Sequence, residues 1–218
     1  RPVCRSSGVS DAAGDPTRLI VVRHGQTAWN AESRIQGQVD IPLNDAGLWQ
    51  AERLAEALAH EAIDAIYSSD LQRALATAGP LASAAGLPVQ QAIGLRERAF
   101  GTFEGSTYDE VAQRWPEASL RWRQRDETFG PPGGETLRDF YERSVATALE
   151  LASRHPGRTV VLVAHGGVLD CLHRAALRLP LQAPRTWQVP NAAINRLLHT
   201  SDGFSMVGWN DGAHLEAA

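Results

Sequence analysis

The chain of 218 residues contains no lysine and only two cysteines, Cys4 and Cys171. Two cysteines so far apart argue against a disulfide framework and favour a reducing compartment, the cytoplasm. No apolar run approaches the ~18 residues that a membrane-spanning helix needs. The formal net charge is −4, so there is no global basic footprint for nucleic acid, and any anion site must be a local cluster. There is no internal repeat and no linker between two cores. Residues 1–16 are polar and small, without the apolar core of a leader peptide. They are expected to form a flexible tail, leaving 17–218 as one domain. Hydrophobic residues make up 43%, enough for a substantial α/β core.

What the chain does have is a pair of matching apolar runs. Leu19-Ile20-Val21-Val22 leads into Arg23-His24-Gly25, and Val160-Val161-Leu162-Val163-Ala164 leads into His165-Gly166-Gly167. Short β-branched runs without polar alternation predict strands buried on both faces, as in a parallel sheet. Ligands of open α/β sheets bind outside the carboxyl ends of such strands, which places both histidines where chemistry is expected.

Between and after these runs, the spacing of Leu48, Ala51, Leu54, Ala55 and Leu58 predicts a helix over about 46–60. A short strand at 65–67 follows, then a second helical stripe from Leu71 through Ala74, Leu75, Ala78, Leu81 and Ala82 to Ala85. Residues 88–93 read as a further strand and 96–105 as a loop. One or two helices interrupted at Pro116 are expected over 107–126. The breaker from Phe129 to Gly134 precedes a helix to about 154, opened by a capping box at Thr136. A helix through 176 should follow the second strong strand, and two strands about Ser201-Asp202-Gly203 should close the chain. The expected fold is a three-layer α/β sandwich with a mainly parallel central sheet flanked by helices. An insertion at about 96–135 should lie over the site.

The chemistry points to phosphoryl groups. Arg23 beside His24 at a strand end offers a guanidinium and an imidazole to an anion, and imidazole can itself be a phosphoryl-accepting nucleophile. His165 could be a cationic phosphate ligand, a metal ligand or a packing residue. The spacings that build metal sites, such as H-x-x-x-H or H-x-H, are absent, so no metal is expected. Arg73 follows Ser68-Ser69-Asp70 at a strand-to-helix turn, where the helix N-terminus adds partial positive charge; a solvated arginine is the plainer alternative. A carboxyl near a phosphate pocket could serve as general acid, and charge alone leaves Glu97, Glu104 and Glu135 all open.

Taken together, these pieces resemble the histidine phosphatase superfamily, the clan that includes cofactor-dependent phosphoglycerate mutase and many small-molecule phosphatases. The string Arg23-His24-Gly25-Gln26-Thr27-Ala28-Trp29-Asn30 looks like its signature. Gln36-Gly37, Asp40 to Asn44, Ser68 to Ala74, the Glu97 loop, Gly133 to Thr136 and Ala164 to Gly167 follow in order. By that resemblance the fold is phosphoglycerate mutase-like and no metal or other cofactor is needed. His24 is the phosphorylated nucleophile, and Glu97 is the proton donor and then the base. Arg23, Arg73 and His165 hold the phosphoryl oxygens, with Asn30, Gln36, Gly37 and Gly166 around them.

The resemblance also favours a phosphatase over a mutase. Mutases usually carry a longer insertion and a lysine-bearing loop after the catalytic glutamate, and here no lysine occurs. Gly166-Gly167-Val168 resembles the phosphatase pattern, and Phe103 departs from a common Trp. A mutase and a non-catalytic phospho-ligand module are the alternatives. Specificity should lie in the insertion, where Arg98, Arg121, Arg123 and Arg125 could bind a second anionic group. Trp115, Trp122 and Phe129 could wall an organic moiety. A solvated cap with its tryptophans packed inward is the competing reading. The expected partner is a small phosphorylated metabolite, with no nucleic acid or membrane, and the chain is read as monomer or homodimer.

Overall fold

Alternation of side chains along the two strongest strands divides the interior in two. The structure, a computed structural model, describes residues 14–216. In β1 (Thr17–Arg23) and β4 (Thr159–Ala164), Leu19, Val21, Val160 and Leu162 face one side of the sheet. Ile20, Val22, Val161 and Val163 face the other, as a period of two requires.

The first face is covered by α6 (Leu137–Ser153) and α7 (Gly166–Leu177), through Phe140, Ala148, Leu151, Val168 and Leu172. The second is covered by α2 (Asp45–Ala57) and α3 (Gln72–Ala85), through Leu54, Ala55, Ala74, Ala78 and Leu81. The result is the expected three-layer α/β sandwich.

The sheet has six strands in the order β3-β2-β4-β1-β5-β6, adding β2 (Ala65–Ser68), β3 (Val89–Gln91), β5 (Ile194–Thr200) and β6 (Gly203–Asp211). β1 to β4 run parallel, and β5 and β6 pair antiparallel at one edge. Register positions the site. Arg23 is the partner of Ala164, so the next residues, His24 and His165, leave the sheet side by side. Ser68 is paired with Val163 on the other flank of β4, which brings Ser69 beside them.

Segment 96–135 carries a small core of its own. α4 (Tyr108–Arg114) and α5 (Pro116–Arg123) break at Trp115–Pro116, as the proline predicts. Ile35, Phe103, Val111 and Phe129 are buried together, with Trp115 and Trp122 packed against them.

Several local expectations are corrected. The helix expected over about 46–60, α2, ends at Ala57 with Leu58 as its cap, and Leu48 is exposed, the buried position in its first turn being Gly47. The third strand has only three residues, and Ile93 is exposed in a tight turn rather than paired in the sheet. Ala85 is solvent-exposed at the last turn of α3. At Thr136 the side chain accepts from the Asp139 N–H, half of the expected capping box; Thr27, which opens the short α1 (Ala28–Ala31), and Thr107 make the complete motif. The expected tail falls mostly outside the described residues, and only Gly14, Asp15 and Pro16 of it are seen, exposed and irregular.

Candidate active site

At the carboxyl edge of the sheet lies a cavity of about 650 Å³. Seven arginines and two carboxylates line it, in a chain whose formal net charge is −4. This is the local basic cluster that the overall composition cannot show.

His24 is buried at its base. Its Nδ1 lies 2.7 Å from the Gly25 carbonyl oxygen. A carbonyl only accepts, so Nδ1 must carry the proton, and Nε2 is left with its lone pair. The Gly25 N–H is held in turn by Thr77 Oγ1 at 2.8 Å, and that hydroxyl donates to the Arg73 carbonyl at 2.7 Å. Asn191 Nδ2 donates to the His24 carbonyl. The imidazole is therefore oriented from three elements.

His165 is fully buried, its ring 5.2 Å from that of His24. Its Nε2 meets Ser69 Oγ at 2.8 Å. Ser69 already accepts from the Leu71 N–H, so its own proton is free for His165 Nε2. That arrangement leaves the imidazole proton on Nδ1, which is buried without a partner. Arg23 Nε and Arg73 Nε are unpartnered and buried as well.

The rest of each guanidinium is anchored. Arg23 Nη1 donates to the Val189 carbonyl at 2.7 Å. Arg73, with no exposed surface, donates to the carbonyls of Val39 and Gly37 at 2.8 and 2.7 Å. The solvated reading of Arg73 is thus wrong: it faces the site rather than water because loop 37–39 folds over it. Buried N–H donors without acceptors are costly unless an anion completes them. Three such donors around one imidazole can bind a tetrahedral oxyanion.

Electrostatics follow the same geometry. Burial first, then the charges of Arg23 and Arg73, hold His24 well below the usual 6.5 of an imidazole. Burial and Arg73 do the same to His165. Burial pushes Arg73 down to about 10, which leaves it charged at neutral pH.

The three carboxyl candidates separate. Glu135 is held by Arg143 through two bonds of 2.8 Å. One oxygen of Glu104 accepts from the N–H groups of Gln38 and Phe100. Glu97 alone of the three lines the cavity. Its two oxygens accept from Arg98 N–H at 2.9 Å and Gly167 N–H at 3.0 Å. A Cβ at Gly167 would meet Glu97 Oε1 at 2.3 Å, so a larger residue there would push the carboxylate out of this position.

Asn30, Gln36, Gly37 and Gly166 also line the cavity. Asn30 Oδ1 accepts from the Thr27 N–H and Gln36 Oε1 from the Thr27 hydroxyl, which leaves each amide nitrogen as the free end. Trp122 and Arg123 form part of the wall. Other expectations need correction. Arg98 reaches the cavity, but its Nε and Nη2 are taken by the carbonyls of Glu135 and Phe129, so it straps segment 96–135 together. Arg121 lies outside the cavity, paired with Asp126 at 2.7 Å and stacked over the Phe129 ring. Trp115 and Phe129 are absorbed by the small core.

Sequence reasoning missed Ser69, Thr77, Arg143, Asn191 and Arg185 as parts of this site. Ser69 had a signal, its place directly after a buried strand, and Thr77 lies one turn beyond Arg73. Asn191 and Arg185 stand in irregular segments without one. Among the described residues, no group of three or more His, Cys, Asp or Glu side chains could hold a metal ion. No helix among them is long and apolar enough to cross a membrane.

An α/β fold with an imidazole and an oxyanion-binding set at the sheet edge defines the class, and comparison with known proteins gives the family. Residues 19–212 match the model of the histidine phosphatase superfamily, branch 1, and the chain belongs to that family. It is 39% identical over 206 residues to phosphoglycerate mutase-like protein 4 of Arabidopsis thaliana, covering 93% of this chain and 88% of that protein. It is 38% identical to the metal-independent phosphoserine phosphatase of the same plant, covering 92% and 84%. A mycobacterial glucosyl-3-phosphoglycerate phosphatase solved with VO3 superposes with a TM-score of 0.80 at 38% identity, covering 89% of this chain and 99% of that one.

Proposed function

We propose that this protein hydrolyses a small-molecule phosphomonoester, without a metal, through a phosphohistidine on His24. The observation that carries the reading is the His24 tautomer: with Nδ1 tied to Gly25, the lone pair of Nε2 is free beside Arg23, Arg73 and His165. In the first step Nε2 bonds to phosphorus as the ester P–O bond breaks, and Glu97 gives its proton to the departing oxygen. In the second, Glu97 takes a proton from water as the water oxygen attacks phosphorus, and the P–N bond breaks to release inorganic phosphate. A loose phosphoryl transition state needs positioning and charge stabilisation above all. Arg23, Arg73 and His165 supply both, with Asn30, Gln36, Gly37 and Gly166 lining the phosphoryl end.

We take 17–218 as one catalytic domain with 96–135 as its cap, acting in the cytoplasm on a phosphorylated metabolite. The cytoplasmic reading rests on cysteine usage, and Cys171 is a buried free thiol. Hydrolysis is favoured over transfer because the lysine-bearing loop usual in mutases is missing and Gly167 follows Gly166. A mutase must also close over its phosphohistidine against water. With phosphoglycerates, inorganic phosphate should appear while isomer exchange is negligible. Isomer exchange faster than phosphate release, stimulated by a bisphosphorylated primer, would favour the mutase reading. Binding without turnover of any phosphomonoester would leave a binding module.

A further inference from the structure

Residues 178–193, between α7 and β5, form neither helix nor strand, yet they hold the backbone and side chain at the heart of the site. The Val189 carbonyl accepts from Arg23 Nη1 at 2.7 Å, and the Ala192 N–H donates to the Arg23 carbonyl at 2.9 Å. Asn191 Nδ2 donates to the His24 carbonyl at 2.9 Å. Among the described residues the Arg23 side chain has no ion pair and no other hydrogen-bond acceptor. The direction of its guanidinium therefore depends on where residue 189 stands. Ala192 is fully buried with φ at 57°, a left-handed conformation that alanine keeps only when its surroundings enforce it.

The segment is fastened from behind, by α7. Arg174 has no exposed surface, and burying a guanidinium is costly unless its donors are used. Its Nη1 donates to the carbonyls of Pro180 at 3.0 Å and Ala183 at 2.8 Å. Its Nε donates to Asp170 Oδ2 at 2.9 Å, a carboxylate that Arg125 holds from the other side at 3.0 Å. Its Cζ lies 4.8 Å from the centre of the Trp187 ring, a cation–π distance. The same ring stacks on His173 at 3.9 Å and 18°. Arg174 thus meets the segment at 180, 183 and 187, the last only two residues before the carbonyl that aims Arg23. Neither Arg174 nor Trp187 lines the cavity, so the two have no direct part in what binds there.

We propose that Arg174 and Trp187 are positioning residues for phosphoryl transfer, acting on Arg23 through the Val189 carbonyl. The assignment rests on the reading of Arg23 as a phosphoryl ligand. With Nη1 tied to residue 189, the buried and unpartnered Nε of Arg23 is held ready for an oxyanion. A misplacement of about 1 Å in such a group can cost about 100-fold in rate.

The test is a double-mutant cycle with the full chain, on kcat/KM for p-nitrophenyl phosphate. Arg174→Met and Trp187→Leu should each lower it about 10- to 100-fold when Arg23 is present. In the Arg23→Gln background the same changes should have little further effect, because no guanidinium is left to misplace. Trp187→Phe keeps an aromatic face for Arg174 and should recover most of what Trp187→Leu loses. If Arg174→Met does not fold, the Trp187 arm of the cycle decides alone. Equal losses in the two backgrounds, the mark of a merely structural role, or full activity in the single variants would overturn the proposal. Vanadate affinity measured by calorimetry needs no turnover and should show the same coupling. A wild type that binds vanadate without turning over any phosphomonoester would count against the phosphatase reading, while the cycle on vanadate affinity would still judge the positioning.

Discussion

Replacing Glu97 with glutamine separates two roles of one carboxyl group, the backbone N–H acceptor seen in the structure and the proposed general acid. Both oxygens accept backbone N–H bonds, from Arg98 at 2.9 Å and from Gly167 at 3.0 Å. A glutamine amide has one accepting oxygen, so one of these N–H groups must lose its partner and face an NH2 instead. An unsatisfied donor in a partly buried position costs about 1–3 kcal/mol. For a chain of this size that lowers Tm by about 2–4 °C per kcal/mol. The variant should fold, with a modestly reduced Tm. Catalysis should suffer more. Glutamine cannot deliver a proton, and removing a general acid typically costs about 100- to 10,000-fold. The loss should be largest for an alkyl phosphate, whose alkoxide leaves poorly without protonation. It should be smaller for p-nitrophenyl phosphate, whose leaving group needs little help. The assay is kcat/KM for both substrates in wild type and Glu97→Gln, with Tm measured in parallel. Equal losses on the two substrates would refute the assignment of Glu97 as the acid, whatever happens to Tm.

Two further outcomes follow from the same geometry. His24 and His165 are held well below the usual 6.5, so as pH falls through about 6.5 the unfolded chain takes up protons that the folded chain refuses, and stability is lost. Urea midpoints from about pH 7 down to about pH 5 should fall less steeply in His165→Gln than in wild type, and identical slopes would contradict the burial argument. Treatment with a chelator should leave turnover intact while vanadate, a phosphoryl mimic, inhibits; loss of activity restored by a divalent ion would contradict the metal-free mechanism.

How much of this was legible in the sequence depended on how local the signal was. β1 and β4 were readable because their β-branched runs are buried on both faces, and α3 because its apolar stripe is regular. The break at Pro116 was visible for the same reason, a residue that cannot donate to the preceding turn. Edge and terminal positions were not, since Ile93 and Leu48 carry apolar side chains where neighbouring turns leave them in solvent. In the site, His24 and His165 were marked by glycine-bounded motifs at strand ends, whereas Glu97 was singled out from Glu104 and Glu135 only by the family resemblance. Arg98 and Arg121 were misjudged because charge is visible in sequence but its partners are not. One arginine is spent on carbonyls 31 and 37 residues away, and the other on a neighbouring aspartate.

The central claim is that His24 Nε2 accepts the phosphoryl group. Brief incubation with 32P-labelled substrate, quenched in alkali and digested, should place an acid-labile label on the peptide containing His24. His24→Ala should lose both the label and nearly all turnover. Label recovered on Ser69, on an aspartate or on His165, or full turnover in His24→Ala, would contradict the account.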